Sequence, residues 1–221
     1  MAPIGKLYSY MPNARAMKIQ AAAKLNEIDI EVVADFQMGI TNKTPEFLSK
    51  FPAGKVPAFE GADGTFIAES DAIAQYVAES GARATELLGT TPADRASVRQ
   101  WVCFTESEVM GTILSLVLWR VGYAPYSKQA EKSGIEALTY ALGVVEKRLE
   151  DRTWVALDRL SLADITLASG LYWGYMHIID KAMRQRFPRA VKWYLRTTNY
   201  PGVKDVFGPP NMIDVRRTPD S

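Results

Sequence analysis

The 221-residue chain has one cysteine, Cys103, and one histidine, His177. A single thiol excludes an internal disulfide and a cysteine-based zinc site, and it points to a reducing compartment. A single histidine means that a Ser-His-Asp arrangement could be built around His177 alone. No run approaches the roughly 18 consecutive apolar residues of a transmembrane helix, so no membrane span is expected. The first residues, Met1 to Lys6, lack the basic and apolar regions of a secretory signal. An excess of one charge is missing as well: 26 basic and 25 acidic side chains leave +1. That balance argues against nucleic acid or another polyanion as partner. The expectation is a cytoplasmic protein whose chemistry borrows its reactive group from a small molecule, with no metal.

What is present is enough for a packed core. Hydrophobic residues make up 48% of the chain and aromatics 10%, which excludes a disordered polymer. A chain of this size would expose roughly 10,000 Å² when folded, against about 36,000 Å² extended, as one large domain or two small ones.

The first eighty residues switch between two periods. Lys6 to Tyr10 is a short β-type run, followed by a turn at Met11-Pro12-Asn13. Ala14, Met17, Ala21 and Leu25 recur at helical spacing, and Ile30-Glu31-Val32-Val33 is a β-branched strand. Together they make a βαβ unit. A short helical piece surrounds Thr44 to Leu48. Val56 to Phe59 and Thr65 to Ala68, joined through Gly61-Ala62-Asp63-Gly64, form an antiparallel hairpin. A helix over Asp71 to Glu79 follows, with Gly81 where a C-terminal cap glycine belongs.

Residues 82–91 have no regular period and read as a linker between residues 1–81 and 92–221. Beyond them the pattern is helical. Thr91-Pro92-Ala93-Asp94 carries an N-cap, an N1 proline and an N3 acid. The stripe Val98, Trp101, Val102, Val109, Ile113 and Leu116 then runs for about seven turns. A second helix covers Ser127 to Leu149. Ser161 to Asp164 opens a third with a cap-and-acid spacing, in which Asp164 serves the fold. Pro188 to Thr198 is a fourth, and the tail after Pro209 is extended. The fold class is α+β, an N-terminal βαβ-ββα domain followed by an all-α domain.

The hairpin is specific in sequence. Phe51-Pro52-Ala53-Gly54-Lys55-Val56-Pro57-Ala58-Phe59, with Ile67-Ala68-Glu69-Ser70-Asp71-Ala72-Ile73 after it, resembles the glutathione-binding half of the glutathione transferase superfamily. The Ser161 to Asp164 signature extends that resemblance over nearly the whole chain. Leu87-Leu88-Gly89, the Trp101 helix, Ala124-Pro125-Tyr126 and Phe187 to Trp193 are similar to the transferase-like domain of elongation factor 1B gamma and its free-standing fungal relatives.

The resemblance implies a thioredoxin-like N-terminal domain, a homodimer, and glutathione as co-substrate. It implies a cis bond before Pro57, so that the Val56 backbone pairs with the cysteinyl unit like an added strand. Lys55 would meet the glycyl carboxylate, and Glu69 and Ser70 the γ-glutamyl end, where a helix start favours a carboxylate. In many relatives a serine before a proline activates the thiol. Met11 occupies that position here and has no O–H. Asn13 matches the asparagine of a Pro-Asn pair in some relatives, and Ser9, Tyr8 and Tyr10 are nearby; Asn13 equally suits a turn. Arg15 reads as structural or mildly electrostatic.

A hydrophobic electrophile would lie between the domains, near Glu108, Gly111, Thr112, Ser115, Trp119 and Tyr123, although Trp119 and Tyr123 also suit plain packing. His177 reads as a packed or surface residue, Cys103 as a small core hydrophobe, and Arg216 and Arg217 as solvated. Detoxifying conjugation or peroxide reduction is one function implied. A translation-factor scaffold with a nucleotide-exchange partner is another, and a non-catalytic glutathione-binding protein a third.

Overall fold

The computed structural model describes residues 2–219; the outer limits of the two expected domains, Met1 and Ser221, lie outside them. Four strands form one sheet in the order β2-β1-β3-β4. β1 (Gly5–Tyr8) runs parallel to β2 (Glu31–Val32). It is antiparallel to β3 (Ala58–Gly61), which pairs antiparallel with β4 (Phe66–Ile67). Helix α1 (Ala14–Leu25) supplies the crossover, α2 (Pro45–Lys50) precedes β3, and α3 (Ser70–Glu79) follows β4. This is the βαβ-ββα order of a thioredoxin-like domain.

α1 has almost no free surface. Its alanines Ala14, Ala16, Ala21, Ala22 and Ala23 are buried with Met17, Ile19 and Leu25. The small side chains allow α1 to pack closely on α3 and on the helical domain at once. Its far end is tied by buried Asn26, whose amide donates to the carbonyls of Val77 and Ala78 at 3.0 and 2.9 Å. Gly81 is explained by this contact and not by capping. Ser80 ends α3, and a Cβ on Gly81 would stand 2.6 Å from the Asn26 side chain.

The stretch expected as a bare linker contains a short helix, α4 (Ala84–Leu88), whose Leu87 and Leu88 join the core. The long helix then begins where the cap signature put it. Thr91 Oγ1 accepts from Asp94 N at 3.1 Å, and Asp94 Oδ2 accepts from Thr91 N at 3.1 Å. It runs as α5 (Pro92–Phe104), a π-helical stretch over Thr105–Met110, and α6 (Gly111–Leu118). By length and apolar composition alone this helix would pass as a membrane span. Its apolar side, through Val98, Trp101, Val109, Ile113 and Leu116, is the buried stripe of the helical core. Cys103 falls off that stripe and is exposed, correcting its reading as a core hydrophobe.

α7 (Lys128–Arg148), α8 (Leu162–His177), α9 (Lys181–Arg186), α10 (Pro188–Thr198) and α11 (Lys204–Phe207) complete the domain. α9 and α11 were not visible in the apolar period, being single short turns. The tail beyond Pro209 has no regular structure, but it is fastened. Ile213 N donates to Tyr175 O at 3.2 Å, and Arg217 donates to Arg120 O at 2.8 Å. Arg216 lies 3.5 Å from Asp180. Arg216 is half-buried as well as paired, which corrects its reading as solvated; Arg217 is exposed, as expected, but is held by its bond to Arg120 O. His177 is half-buried in the last turn of α8, and burial together with the charge of Arg120 pushes its pKa down.

α8 is organised by Asp164, which is fully buried. Its carboxylate accepts from Val155 N at 2.9 Å, Ser161 N at 3.0 Å, Ser161 Oγ at 2.8 Å and Trp193 Nε1 at 2.8 Å. One side chain thus joins a loop, a helix start and α10. Burial pushes the Asp164 carboxyl up, and the four donated bonds oppose it. Asp164→Ala would leave several buried donors unpaired, each costing about 1–3 kcal/mol. We expect a loss of at least about 3 kcal/mol in urea unfolding; a loss below about 1 kcal/mol would refute this role.

Candidate functional site

A cleft of about 300 Å³ opens at the edge of the N-terminal domain. Three segments line it: Lys55, Val56 and Pro57 before β3; Ala68, Glu69 and Ser70 at the start of α3; and Arg15 of α1 facing Glu106 of the helical domain. The loop before β3 is held from beneath. Buried Asn42 donates to Gly54 O at 2.6 Å and accepts from Gly39 N at 2.6 Å. This brace carried no sequence signal, because Asn42 sits in a polar stretch that reads as loop. The Val56–Pro57 bond is cis, as expected. Among the described residues, the backbone N–H and C=O of Val56 make no hydrogen bond. Lys55 is exposed and has no ion-pair partner among the described residues.

At the other wall, Glu69 is exposed and adopts φ 66°, ψ 118°. A positive φ is uncommon for a side chain larger than glycine. It turns the chain from β4 into α3, so that Ser70 becomes the first helical residue. No side chain caps this helix start, and its free N–H groups and dipole favour an anion. The structure therefore brings Lys55, Val56, Pro57, Glu69 and Ser70 together in one cleft.

Arg15 spans the boundary between the two parts of the chain. Its guanidinium donates to both carboxylate oxygens of Glu106, at 2.8 and 2.9 Å. Glu106 lies in the π-helical stretch, where the wider turn changes which positions face α1. Such stretches are frequent at functional sites. A Cβ on Gly170 of α8 would come within 2.7 Å of the Thr105 side chain, so α8 has to be bare there.

The two residues expected to activate a thiol have other partners. Asn13 is buried and is the N-cap of α1: its Oδ1 accepts from Arg15 N at 3.0 Å, and its Nδ2 donates to Ser9 Oγ at 3.1 Å. Ser9 is also buried and donates to Tyr10 O at 3.1 Å. Neither lines the cleft. Tyr8 donates to Glu60 Oε2 at 2.8 Å, and burial together with that bond pushes its pKa up to about 12. Met11, 47% exposed, lines a separate groove beside α1.

The second-substrate positions divide. Trp119 is half-buried and packed: Nε1 donates to Glu131 at 3.0 Å, while Tyr126 and the Arg120 guanidinium stand against its ring at 5.1 and 4.3 Å. Tyr123 is 84% exposed and near enough to raise the Tyr10 pKa, which burial raises most and Arg15 lowers. Thr112 is half-buried. It follows Glu106 by six residues, about 9 Å along a helix. Tyr10 in the β1–α1 loop thus feels charge from Arg15 and from Tyr123, two distant parts of the sequence.

A thioredoxin-like domain with this cleft, joined to an all-helical domain, defines a transferase-type two-domain protein. Comparison with known families agrees: the glutathione S-transferase N-terminal domain model matches residues 3–79, and the C-terminal domain model residues 100–201. The chain belongs to the glutathione S-transferase family. It is 55% identical over 217 residues to the glutathione S-transferase-like protein LUC7 of Fusarium sp, covering 98% of this chain and 99% of that protein. It is 40% identical to elongation factor 1-gamma-A of Xenopus laevis over 95% of this chain, but spans only 48% of that protein. Among solved structures, the transferase-like domain of elongation factor 1-gamma from Saccharomyces cerevisiae superposes with a TM-score of 0.84, at 25% identity and 99% coverage of both chains. The glutathione transferase URE2P6 of Phanerochaete chrysosporium, solved with oxidized glutathione, also gives 0.84, at 20% identity over 93% of this chain and 96% of that one.

The geometry makes Asn13 an architectural residue first. Asn13→Ala removes a helix cap and the partner of buried Ser9, and we expect a loss of about 1–2 kcal/mol in chemical unfolding. Unchanged stability would refute that role.

Proposed function

We propose that the cleft binds reduced glutathione and that the chain conjugates it to a hydrophobic electrophile. The observation that carries this reading is the match between the cleft's charges and the tripeptide. Glutathione has a carboxylate at each end, one ammonium, and a thiol in the middle. Lys55, without an ion-pair partner among the described residues, suits the glycyl carboxylate. The unbonded N–H and C=O of Val56 suit the cysteinyl backbone, in the manner of an added strand. Ser70 and the start of α3 suit the glutamyl carboxylate, and Glu69 the ammonium.

Arg15, although paired with Glu106, lines the cleft, whereas Asn13, Ser9 and Tyr8 do not, and it is the group we assign to the thiol. A thiol with a pKa near 8.5 is only about 3% ionised at pH 7. A cation beside it favours the thiolate. Glu106 fixes the direction of the guanidinium while leaving it in the cleft wall. An aromatic electrophile would lie toward Tyr10 and Tyr123. A cytoplasmic homodimer acting in detoxification, with thiol-dependent peroxide reduction as a related activity, is the setting this reading implies.

The likeness to elongation factor 1-gamma supports a second reading, a scaffold domain that docks a translation-factor partner. One experiment separates the two. Isothermal titration with reduced glutathione is followed by a turnover assay with an aromatic halide on the same sample. Binding with turnover supports the transferase, and binding alone supports a glutathione-binding protein without this catalysis. No binding at millimolar glutathione leaves the scaffold. Within the transferase reading, Arg15→Leu should lower turnover about tenfold, one pKa unit of thiol activation, while changing glutathione affinity less than about threefold. Unchanged turnover would remove Arg15 from the mechanism.

A further inference from the structure

Lys18 sits in the middle of α1 with its side chain fully buried. Lysines are almost never buried to that degree unless paired. Its ammonium donates to Asp71 Oδ1. Asp71 is the second residue of α3, directly after Ser70, and its side chain keeps 20% exposure. The charged groups that act on Lys18 are Asp71 from α3, Glu106 from the helical domain, and Arg15 on its own helix. Burial pushes the Lys18 pKa down, and the two carboxylates push it back up.

Two demands conflict at the start of α3. A carboxylate in the first turn is good for the helix, since it complements the dipole. The same carboxylate is bad for a ligand that brings its own carboxylate to that helix start, because like charges a few ångströms apart repel strongly where water is partly excluded. The conflict persists unless a cation stands behind Asp71, and Lys18 is that cation.

We infer that Lys18 is a positioning residue for the glutamyl α-carboxylate of glutathione: by cancelling the charge of Asp71 from beneath, it leaves the start of α3 free to accept a second carboxylate. The inference rests on the glutathione reading of the cleft. Lys18 touches no ligand and acts through Asp71. Its burial explains why a lysine and not a solvated surface cation does this. A buried ammonium cannot turn outward to meet the ligand itself, so it remains on Asp71 whether or not the cleft is filled.

The test measures affinity for two ligands. One is glutathione. The other is 4-aminobutyryl-cysteinylglycine, which keeps the amine and lacks the glutamyl α-carboxylate. In Lys18→Met, and in Lys18→Gln should the methionine variant not fold, glutathione should bind at least about tenfold more weakly. The carboxylate-free analogue should bind within about twofold of its affinity for the unsubstituted chain. Adding Asp71→Asn should return glutathione affinity to within about threefold of the unsubstituted chain, because the opposing charge is then gone. A purely structural lysine would weaken both ligands alike, and that outcome overturns the inference. So does an unchanged glutathione affinity in the single variant, or a loss that Asp71→Asn does not restore. Failure of glutathione to bind the unsubstituted chain is a separate result and overturns the reading of the cleft.

Discussion

Burial of α1 on nearly every side is the constraint on which the rest of the structure depends. A helix squeezed between a sheet, a neighbouring helix and a second domain has room for many small side chains and few large ones, and five of the nine buried residues of α1 are alanines. Close packing of that kind leaves little slack, since protein interiors are filled to the density of organic crystals. Whatever α1 carries is therefore held to the positions of its backbone. Asn13 at its cap, Arg15 two residues on and Lys18 in its second turn are consequences of one packed element. They reach the β1–α1 loop, the helical domain and α3 in that order.

The charges around α1 alternate in a way that composition alone conceals. Glu106 faces Arg15, and Asp71 faces Lys18, so each cation is matched by an acid from a different element. The two pairs differ in their energetics. Arg15 and Glu106 remain 28% and 42% exposed, and an exposed pair contributes at most about 1 kcal/mol. Its value is geometric, since a bidentate guanidinium has one orientation. Lys18 is wholly enclosed, and breaking such a pair from one side strands a charge in the interior. The first pair can be loosened by a ligand; the second cannot.

The parts legible in the sequence are those governed by period and by local caps. The span of α1 follows from apolar spacing, the starts of the long helix and of α8 from Thr91/Asp94 and Ser161/Asp164, and the cleft from the residues around Pro57 and Ser70. The parts that were hidden depend on contacts between distant residues. Nothing in the sequence singles out Lys18, and only the fold reveals Asp71 beside it. Asn13 reads equally as a turn or a donor until Ser9 and Arg15 N are found to occupy its side chain. Arg216 and Arg217 read as a loose basic tail, but Arg120 O and Asp180 hold them. α4, α9 and α11 are too short for a period to register. Cys103 among aromatic neighbours reads as core, and a single step of about 100° around α5 puts it outside.

On the glutathione reading, ligand binding and thiol activation would have separate structural origins in this fold, and that separation would let one scaffold keep the first without the second. The cleft that we assign to glutathione combines backbone and helix start (a cis bond, Val56 groups with no hydrogen bond among the described residues, and the first N–H groups of α3) with the side chains of Lys55 and Glu69. Such features survive as long as the domain folds. Activation of a thiol instead needs a side chain at the β1–α1 loop, and here Met11, Asn13 and Ser9 each face away from the cleft or are bonded elsewhere. The same fold can therefore keep its cleft while the activating group moves or disappears. With Arg15 in that role, the thiol would depend on a residue held by Glu106 from the helical domain, so that chemistry, unlike binding, requires both parts of the chain to be in register.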